Sequence, residues 1–304
     1  MGRRFSFFAL CPNRLRMRVG RNKSVAAFFK SAGISPQKRL GQHFLKDALI
    51  SQDVVAACEL ENEDVVVEIG AGLGVLTVPL CEKAKKVFAI ELDGRIAQIL
   101  RERILPKDAN NVEVVRGDAL GFDFHEVCEK YGRKLKAVGN LPYSISTPIL
   151  FKLIKSRDAL SLAVLMFQKE VSDRIVAKPG NKSYGILSVL SQYFTKAEPI
   201  MVVSPESFYP QPKVNSAVVR LRFGISPRVV AEDETLFTAV VKAAFGKRRK
   251  FLRNALTYGL NLSLKEVNNL LSVSGIDGRR RAETLSVEEF VKLSNILKRI
   301  RLYN

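Results

Sequence analysis

Tryptophan is missing from the 304 residues, and histidine and cysteine are scarce, with two and four copies. His43 and His125 stand far apart, and Cys11, Cys58, Cys81 and Cys128 include no Cys-x-x-Cys pair. Neither pattern offers the clustered ligands of a zinc site or the framework of a disulfide scaffold. No metal is therefore expected, and a reducing compartment suits the chain. No run reaches the ~18 uncharged apolar residues that a membrane helix needs. The nearest stretch, residues 65–81, is interrupted by Glu68 and by small or turn-forming residues. Acidic residues are absent from the start of the chain: residues 1–46 hold 11 Lys or Arg and no Asp or Glu.

What is present is a chain with 47% hydrophobic residues, enough for a large buried core. The net charge of +19 is concentrated at the two ends. Residues 47–223 carry 23 basic and 22 acidic residues, whereas residues 224–304 carry 15 and 8. A near-neutral centre with basic ends fits a phosphate-rich partner, although a solubilising surface or a targeting segment gives the same sum. Residues 1–33 are Arg-rich and lack clean periodicity, as in a transit peptide, a loose RNA-binding arm or an upstream misread start.

From residue 64 the pattern alternates strand and helix. Strands are expected at 65–69, 87–91, 112–115, 135–138 and 160–167, with an antiparallel edge from 200–203 and 217–223. Helices are expected at 74–83 with a kink at Pro79, near 93–104, at 148–155, at 168–176 and at 184–194. Beyond residue 223 the apolar spacing becomes three and four, as in Leu236, Val240, Val241 and Ala244. The expected fold is α/β, a doubly wound sheet with an antiparallel edge plus a small all-α C-terminal domain. The expected division is a flexible basic extension (1–35), a catalytic domain (36–223) and a helical RNA-binding domain (224–304).

In such sheets ligands lie at the C-terminal strand ends, and three of these ends carry informative residues. After the first strand comes Gly70-Ala71-Gly72-Leu73-Gly74. Its spacing is G-x-G-x-G, not the G-x-G-x-x-G that cradles a dinucleotide pyrophosphate. Glu91 ends the second strand, where a carboxylate can accept from both ribose hydroxyls. Asp118 follows the third, where it can accept from an adenine amine or simply form a turn. Together they suggest nucleoside recognition without a pyrophosphate, which suits S-adenosyl-L-methionine.

Asn140-Leu141-Pro142-Tyr143 follows the fourth strand. An adenine amine is a poor nucleophile because its lone pair is delocalised into the ring. Two acceptors holding its two N–H groups would turn the lone pair toward a methyl donor. The Asn140 side-chain oxygen can be one acceptor, and a backbone carbonyl beside Pro142, oriented by the proline's fixed φ, can be the other. Tyr143 can stack on an extruded base. An Asn-x-Pro turn with a packed tyrosine is the alternative.

With these residues in place, the sequence closely resembles the ribosomal RNA adenine dimethylase family of KsgA type. The segments that carry the resemblance are KRLGQHFLKD (38–47), VEIGAGLGVLT (67–77), NLPYSIST (140–147), MFQKEVSDR (166–174), FYPQPKVNSAV (208–218), AAFGKRRKFLRN (243–254) and residues 275–290. The resemblance implies a Rossmann-like class I methyltransferase that dimethylates two adjacent adenosines near the 3′ end of small-subunit ribosomal RNA. It places His43 and Leu45 over the methionine end of the cofactor, though His43 often stands as Asn in the family pattern. Gly70, Glu91, Asp118 and Asn140 would complete the cofactor site, with Leu141, Pro142, Tyr143 and a second stacking ring, Phe208, around the target base. Read alone, Phe208 before Tyr209-Pro210 is an ordinary packing residue.

The motifs Lys247-Arg248-Arg249-Lys250 and Arg279-Arg280-Arg281 are expected to contact phosphates, and Glu170 with Arg174 to form an i,i+4 ion pair. A monomer acting on a pre-ribosomal particle in the cytoplasm is expected, with an organelle as the alternative location. Competing readings are a large-subunit methylase of the antibiotic-resistance type, a non-catalytic organellar transcription factor, and a nicotinamide-dependent oxidoreductase.

Overall fold

The computed structural model describes residues 25–225, 229–247 and 250–302. Cys11, Arg248, Arg249 and most of the Arg-rich start lie outside the described residues. Nine strands are described: β1 (Phe44–Leu45), β2 (Val65–Ile69), β3 (Lys86–Glu91), β4 (Val112–Arg116), β5 (Leu135–Asn140), β6 (Leu160–Gln168), β7 (Lys196–Val203), β8 (Phe208–Tyr209) and β9 (Ser216–Arg222). Seven form one sheet in the order β4-β3-β2-β5-β6-β9-β7, while β1 and β8 pair by themselves. Strands β2 to β6 run parallel, and β9 lies antiparallel between β6 and β7. The expected doubly wound sheet with its antiparallel edge is what the chain forms.

The alternation of side chains along a strand explains why both faces are covered. On β2, Val65, Val67 and Ile69 enter one core with Phe88, Leu135 and the helix Ser146–Lys155. Val66 points the other way, into a second core with Val54, Leu80 and Val138 beneath the helices Ala48–Ala57 and Thr77–Cys81. The C-terminal helices, Glu234–Phe245, Leu252–Leu260, Leu264–Ser274 and Val287–Leu302, enclose their own core. Tyr184, Val189 and Tyr193, from and beside the helix Ile186–Phe194, join that core, so the two parts share packed surface. The Arg157 guanidinium reinforces the junction, 2.6 Å from Glu234 and over the Phe194 ring.

Three expectations need correction. The helix foreseen at 74–83 is only Thr77–Cys81, because Gly74 has φ +73° and turns the chain before the helix begins. Pro79 sits in its first turn, where a missing N–H is harmless, so no kink arises. A helix at Phe124–Tyr131, capped by the Asp123 carboxylate and ended by left-handed Gly132, was not anticipated. Finally, residues 25–31, assigned to a loose extension, form a helix that buries Phe29 against Phe44 and Tyr209. The expected Glu170–Arg174 pair is present on the surface.

Candidate active site

A cleft opens at the C-terminal ends of β2, β3, β4 and β5. It is partly open to solvent and is lined by the ends of these strands together with the segment before β1. Of the residues singled out from sequence, His43, Leu45, Gly70, Glu91, Asp118, Asn140, Leu141, Pro142 and Tyr143 line it. Phe208 does not. Its ring is 2% exposed and belongs to the core beneath the cleft, with Leu45, Val54 and Val218. The reason is register: Phe208 sits opposite Leu45 in the β1–β8 pair, and both side chains are directed into that core. The aromatic ring facing Tyr143 is that of His43, stacked at 5.4 Å with an interplanar angle of 30°.

The glycine turn fixes the floor. Gly70 and Ala71 both donate to the Ile90 carbonyl at 3.0 Å, tying the turn to the end of β3. Gly70 and Gly72 have φ of +76° and +55°, a region open to glycine and strained for most side chains. The Glu91 carboxylate accepts from the Gly72 and Asp93 N–H groups, each at 2.9 Å, through different oxygens. A carboxylate has about four lone-pair sites, so it retains capacity for two ligand hydroxyls. Burial pushes the Glu91 carboxyl above the usual range, opposed by the N–H groups of Asp93 and Gly72. Asp118 caps the turn Ala119–Gly121 through the Leu120 N–H at 2.9 Å and stays exposed at the cleft. The turn-forming and ligand-facing readings of this residue are thus compatible.

Asn140 is the last residue of β5. Its Nδ2 donates to the His43 carbonyl at 2.8 Å. A carbonyl oxygen only accepts, so this contact fixes the amide's orientation and leaves Oδ1 as the outward acceptor. Close packing places the strand end: a methyl group on Gly139 would lie 2.5 Å from the Ile69 carbonyl oxygen. The Pro142 carbonyl is engaged by the Ile145 N–H at 3.1 Å, while Leu141 and Pro142 themselves border the cleft. The Tyr143 hydroxyl lies 2.7 Å from the Ser216 hydroxyl of β9, which anchors the ring by its far end. His43 Nδ1 lies 2.6 Å from the Pro210 carbonyl and must therefore carry the donated hydrogen.

Sequence reasoning missed three contributors. Leu92 follows Glu91 and leaves 51% of its surface exposed in the cleft, an apolar face for a flat ring. Asp93 accepts from the Gln37 amide at 2.7 Å, from Gln42 at 3.4 Å and from Arg95 at 2.8 Å, latching the segment before β1 over the site. The Arg95 guanidinium holds its carboxyl down at about 2. Glu68, at the back of the cleft, takes a 2.6 Å bond from the Thr77 hydroxyl. Their signal was faint, because each is an ordinary polar or apolar residue until tertiary contacts gather it.

Burial pushes the Glu68 carboxyl up to about 8, partly offset by the Thr77 hydroxyl. A folded value above the unfolded one means the native state binds the extra proton. That contribution is complete below the unfolded value of 4.5 and is lost as pH rises through about 8. The unfolding midpoint of the ligand-free protein should thus fall more steeply between about pH 5 and pH 8.5 than that of Glu68→Gln. Parallel curves from scanning calorimetry would refute this assignment. Burial pushes the Cys58 thiol up to about 12 and the half-buried Cys81 thiol up to about 11, which disfavours the thiolate at both.

Burial keeps Glu68 largely protonated near neutral pH, so Glu91 and Asp118 supply the acidic walls of the cleft. It offers a home to a nucleoside bearing positive charge and opposes a diphosphate. An acidic nucleoside cleft on this sheet, with an amide acceptor at its mouth, defines a Rossmann-like S-adenosylmethionine-dependent methyltransferase. The profile of the family described as "Ribosomal RNA adenine dimethylase" matches residues 34–299, and the chain belongs to that family. It is 45% identical over 262 residues to the ribosomal RNA small subunit methyltransferase A of Clostridium acetobutylicum, covering 86% of this chain and 94% of the relative. The corresponding protein of Bacillus mycoides is also 45% identical, over 87% and 92%. Among solved structures, a dimethyladenosine transferase from Plasmodium falciparum is similar with a TM-score of 0.66 and 29% identity, over 82% of this chain and 95% of that one. The 23S rRNA methyltransferase ErmE gives 0.65 and 25%, over 84% and 99%.

Proposed function

We propose that this protein transfers methyl groups to the exocyclic amines of two adjacent adenosines near the 3′ end of small-subunit ribosomal RNA, acting as a monomer on a pre-ribosomal particle in the cytoplasm. When bound, S-adenosylmethionine supplies an electrophilic methyl group on a cationic sulfur. Gly70, Glu91 and Asp118 hold its nucleoside, and the segment from His43 to Leu45 closes over its other end. Asn140 Oδ1 and the Leu141 carbonyl accept from the two amine hydrogens of the target adenine, since the Pro142 carbonyl is already engaged. Tyr143 stacks on the base, and Ser216 keeps the ring from rotating away. Rate enhancement then comes from positioning and prearranged dipoles, with no covalent enzyme intermediate.

The single observation that carries this reading is the Asn140–His43 bond, which aims an amide oxygen from the cleft mouth. The likeness to ErmE is nearly as good as that to the dimethyladenosine transferase, so backbone shape leaves the choice of ribosomal subunit open. The 45% identity to small-subunit methyltransferases favours the small subunit. The intact glycine turn and Asn140 geometry favour catalysis over a binding role alone. Among the described residues, no helix is long and apolar enough to cross a membrane.

The test is incubation with labelled S-adenosylmethionine and undermethylated small or large subunits, followed by mapping of the modified nucleotides. Dimethyladenosine at two neighbouring positions of small-subunit RNA is the expected result. Label confined to large-subunit RNA would transfer the assignment to the resistance-type methylase, and no label in either would leave a binding protein.

A further inference from the structure

We propose that the outer face of the helix Leu252–Leu260 is a stacking platform for unpaired RNA bases, with Phe251 and Tyr258 as its rings and Arg279 and Arg281 as its phosphate contacts. Phe251 and Tyr258 are 47% and 72% exposed, although the domain that carries them has a well-filled core. Phe251 stands at the N-cap position, in extended conformation, and Tyr258 lies about two turns on, about 10 Å further along the axis. Asn254 lies between them. Among the described residues neither ring meets an aromatic partner, and each leaves about half or more of its surface to solvent.

The basic border is built in. The Arg280 carbonyl accepts from the Leu252 N–H at 2.8 Å, and the Gly278 carbonyl from the Arg253 N–H at 3.0 Å. Gly278 makes this docking possible: a Cβ there would sit 2.8 Å from Leu271 and 3.1 Å from the Arg253 Cβ. Residues 278–281 are thereby fastened beside Phe251. Arg280 is turned inward, holding Glu289 and the Thr284 carbonyl, so it drops out of the phosphate-contact set expected from sequence. Its neighbours point outward, with Arg279 80% exposed and Arg281 55%. Their pairs with Asp277 at 3.2 Å and Glu283 at 4.0 Å are exposed and easily exchanged for phosphates. Lys250, adjacent to Phe251, is exposed as well.

Flat rings interleaved with cations select single-stranded nucleic acid, whose bases offer π faces and whose phosphates meet the arginines. A duplex hides those faces and would engage the arginines alone. This platform rests on the proposed function only in taking RNA as the partner, and it adds that this RNA is unpaired where the helical domain grips it.

Because the chain lacks tryptophan, Phe251→Trp creates a single fluorescent reporter in the platform and keeps a stacking ring. Titration with a single-stranded RNA oligomer should quench it saturably, and an equally long duplex should not. The double variant Phe251→Ala/Tyr258→Ala should bind the single strand at least tenfold more weakly, with duplex binding changed less than twofold and the salt dependence unaltered. Arg279→Ala/Arg281→Ala should instead reduce the slope of log affinity against log salt by about one to two. Both rings are exposed, so the unfolding midpoint checks that the double variant folds. Parent-like single-strand affinity in the double variant, or equal losses for duplex and single strand, would overturn the platform while methylation by the parent protein leaves the enzymatic reading standing. A parent that neither binds RNA nor methylates it would overturn both.

Discussion

Asn140→Ala should lower single-turnover methyl transfer by about a thousandfold while cofactor affinity changes less than about threefold, as expected when one prearranged dipole is removed from a reacting centre. The variant loses the oxygen that accepts from the target amine and also the Nδ2–H that holds the His43 carbonyl at 2.8 Å. The glycine turn and Glu91 are untouched, so the nucleoside end of the cofactor keeps its contacts. Asn140→Asp separates the two losses. It retains an acceptor but sets a second oxygen against the His43 carbonyl, and an intermediate rate is expected. Calorimetric titration with cofactor and rapid-quench transfer measured on one preparation would decide. Equal falls in affinity and rate would remove the distinction between acceptor and cofactor ligand on which the proposed chemistry depends.

Glu91→Gln is the complementary case. The carboxylate braces Gly72 and Asp93 and is placed to accept from two ribose hydroxyls. Hydrogen bonds to a charged acceptor contribute about 1.5–3 kcal/mol each, so losing the charge should raise the cofactor dissociation constant by about a hundredfold or more. Transfer at saturating cofactor should fall far less, because nothing at the target amine has changed. The glutamine side chain keeps nearly the same volume but only one acceptor, so either the Gly72 or the Asp93 N–H loses its partner, and the unfolding midpoint is measured beside the affinity to separate that loss from the ribose contacts. An unchanged dissociation constant would disprove the ribose assignment.

The parts of the site that sequence reveals are those where backbone geometry restricts residue type. Positive φ at Gly70 and Gly72 admits glycine with little competition, and Pro142 declares its own φ, so the turn and the strand end could be read directly. Glu91 and Asp118 were recoverable because a parallel sheet sends its strand ends to one edge. What escaped depends on contacts between distant segments. Phe208 has the composition of a stacking ring, and only its register opposite Leu45 assigns it to the core. The helix Val25–Ser31 has an amphipathic side too short to stand out in an Arg-rich segment until Phe44 and Tyr209 give Phe29 a place to pack. Arg280 is indistinguishable from its neighbours in a run of three arginines, and only the Glu289 carboxylate turns it inward.

The small β1–β8 ladder has a consequence for the timing of biosynthesis. His43 and Pro210 are 167 positions apart, yet the imidazole of one is held by the carbonyl of the other, and Phe44 and Leu45 find their strand partners only at 209 and 208. As the polypeptide leaves the ribosome, the roofing segment can meet Asp93 and Asn140 once β2 to β5 have formed, well before its strand partners at 208 and 209 exist. The roof is therefore completed only when the stretch near residue 210 emerges. A nascent fragment stopped short of it would own nearly every chemical group of the catalyst under a roof fastened along one side only.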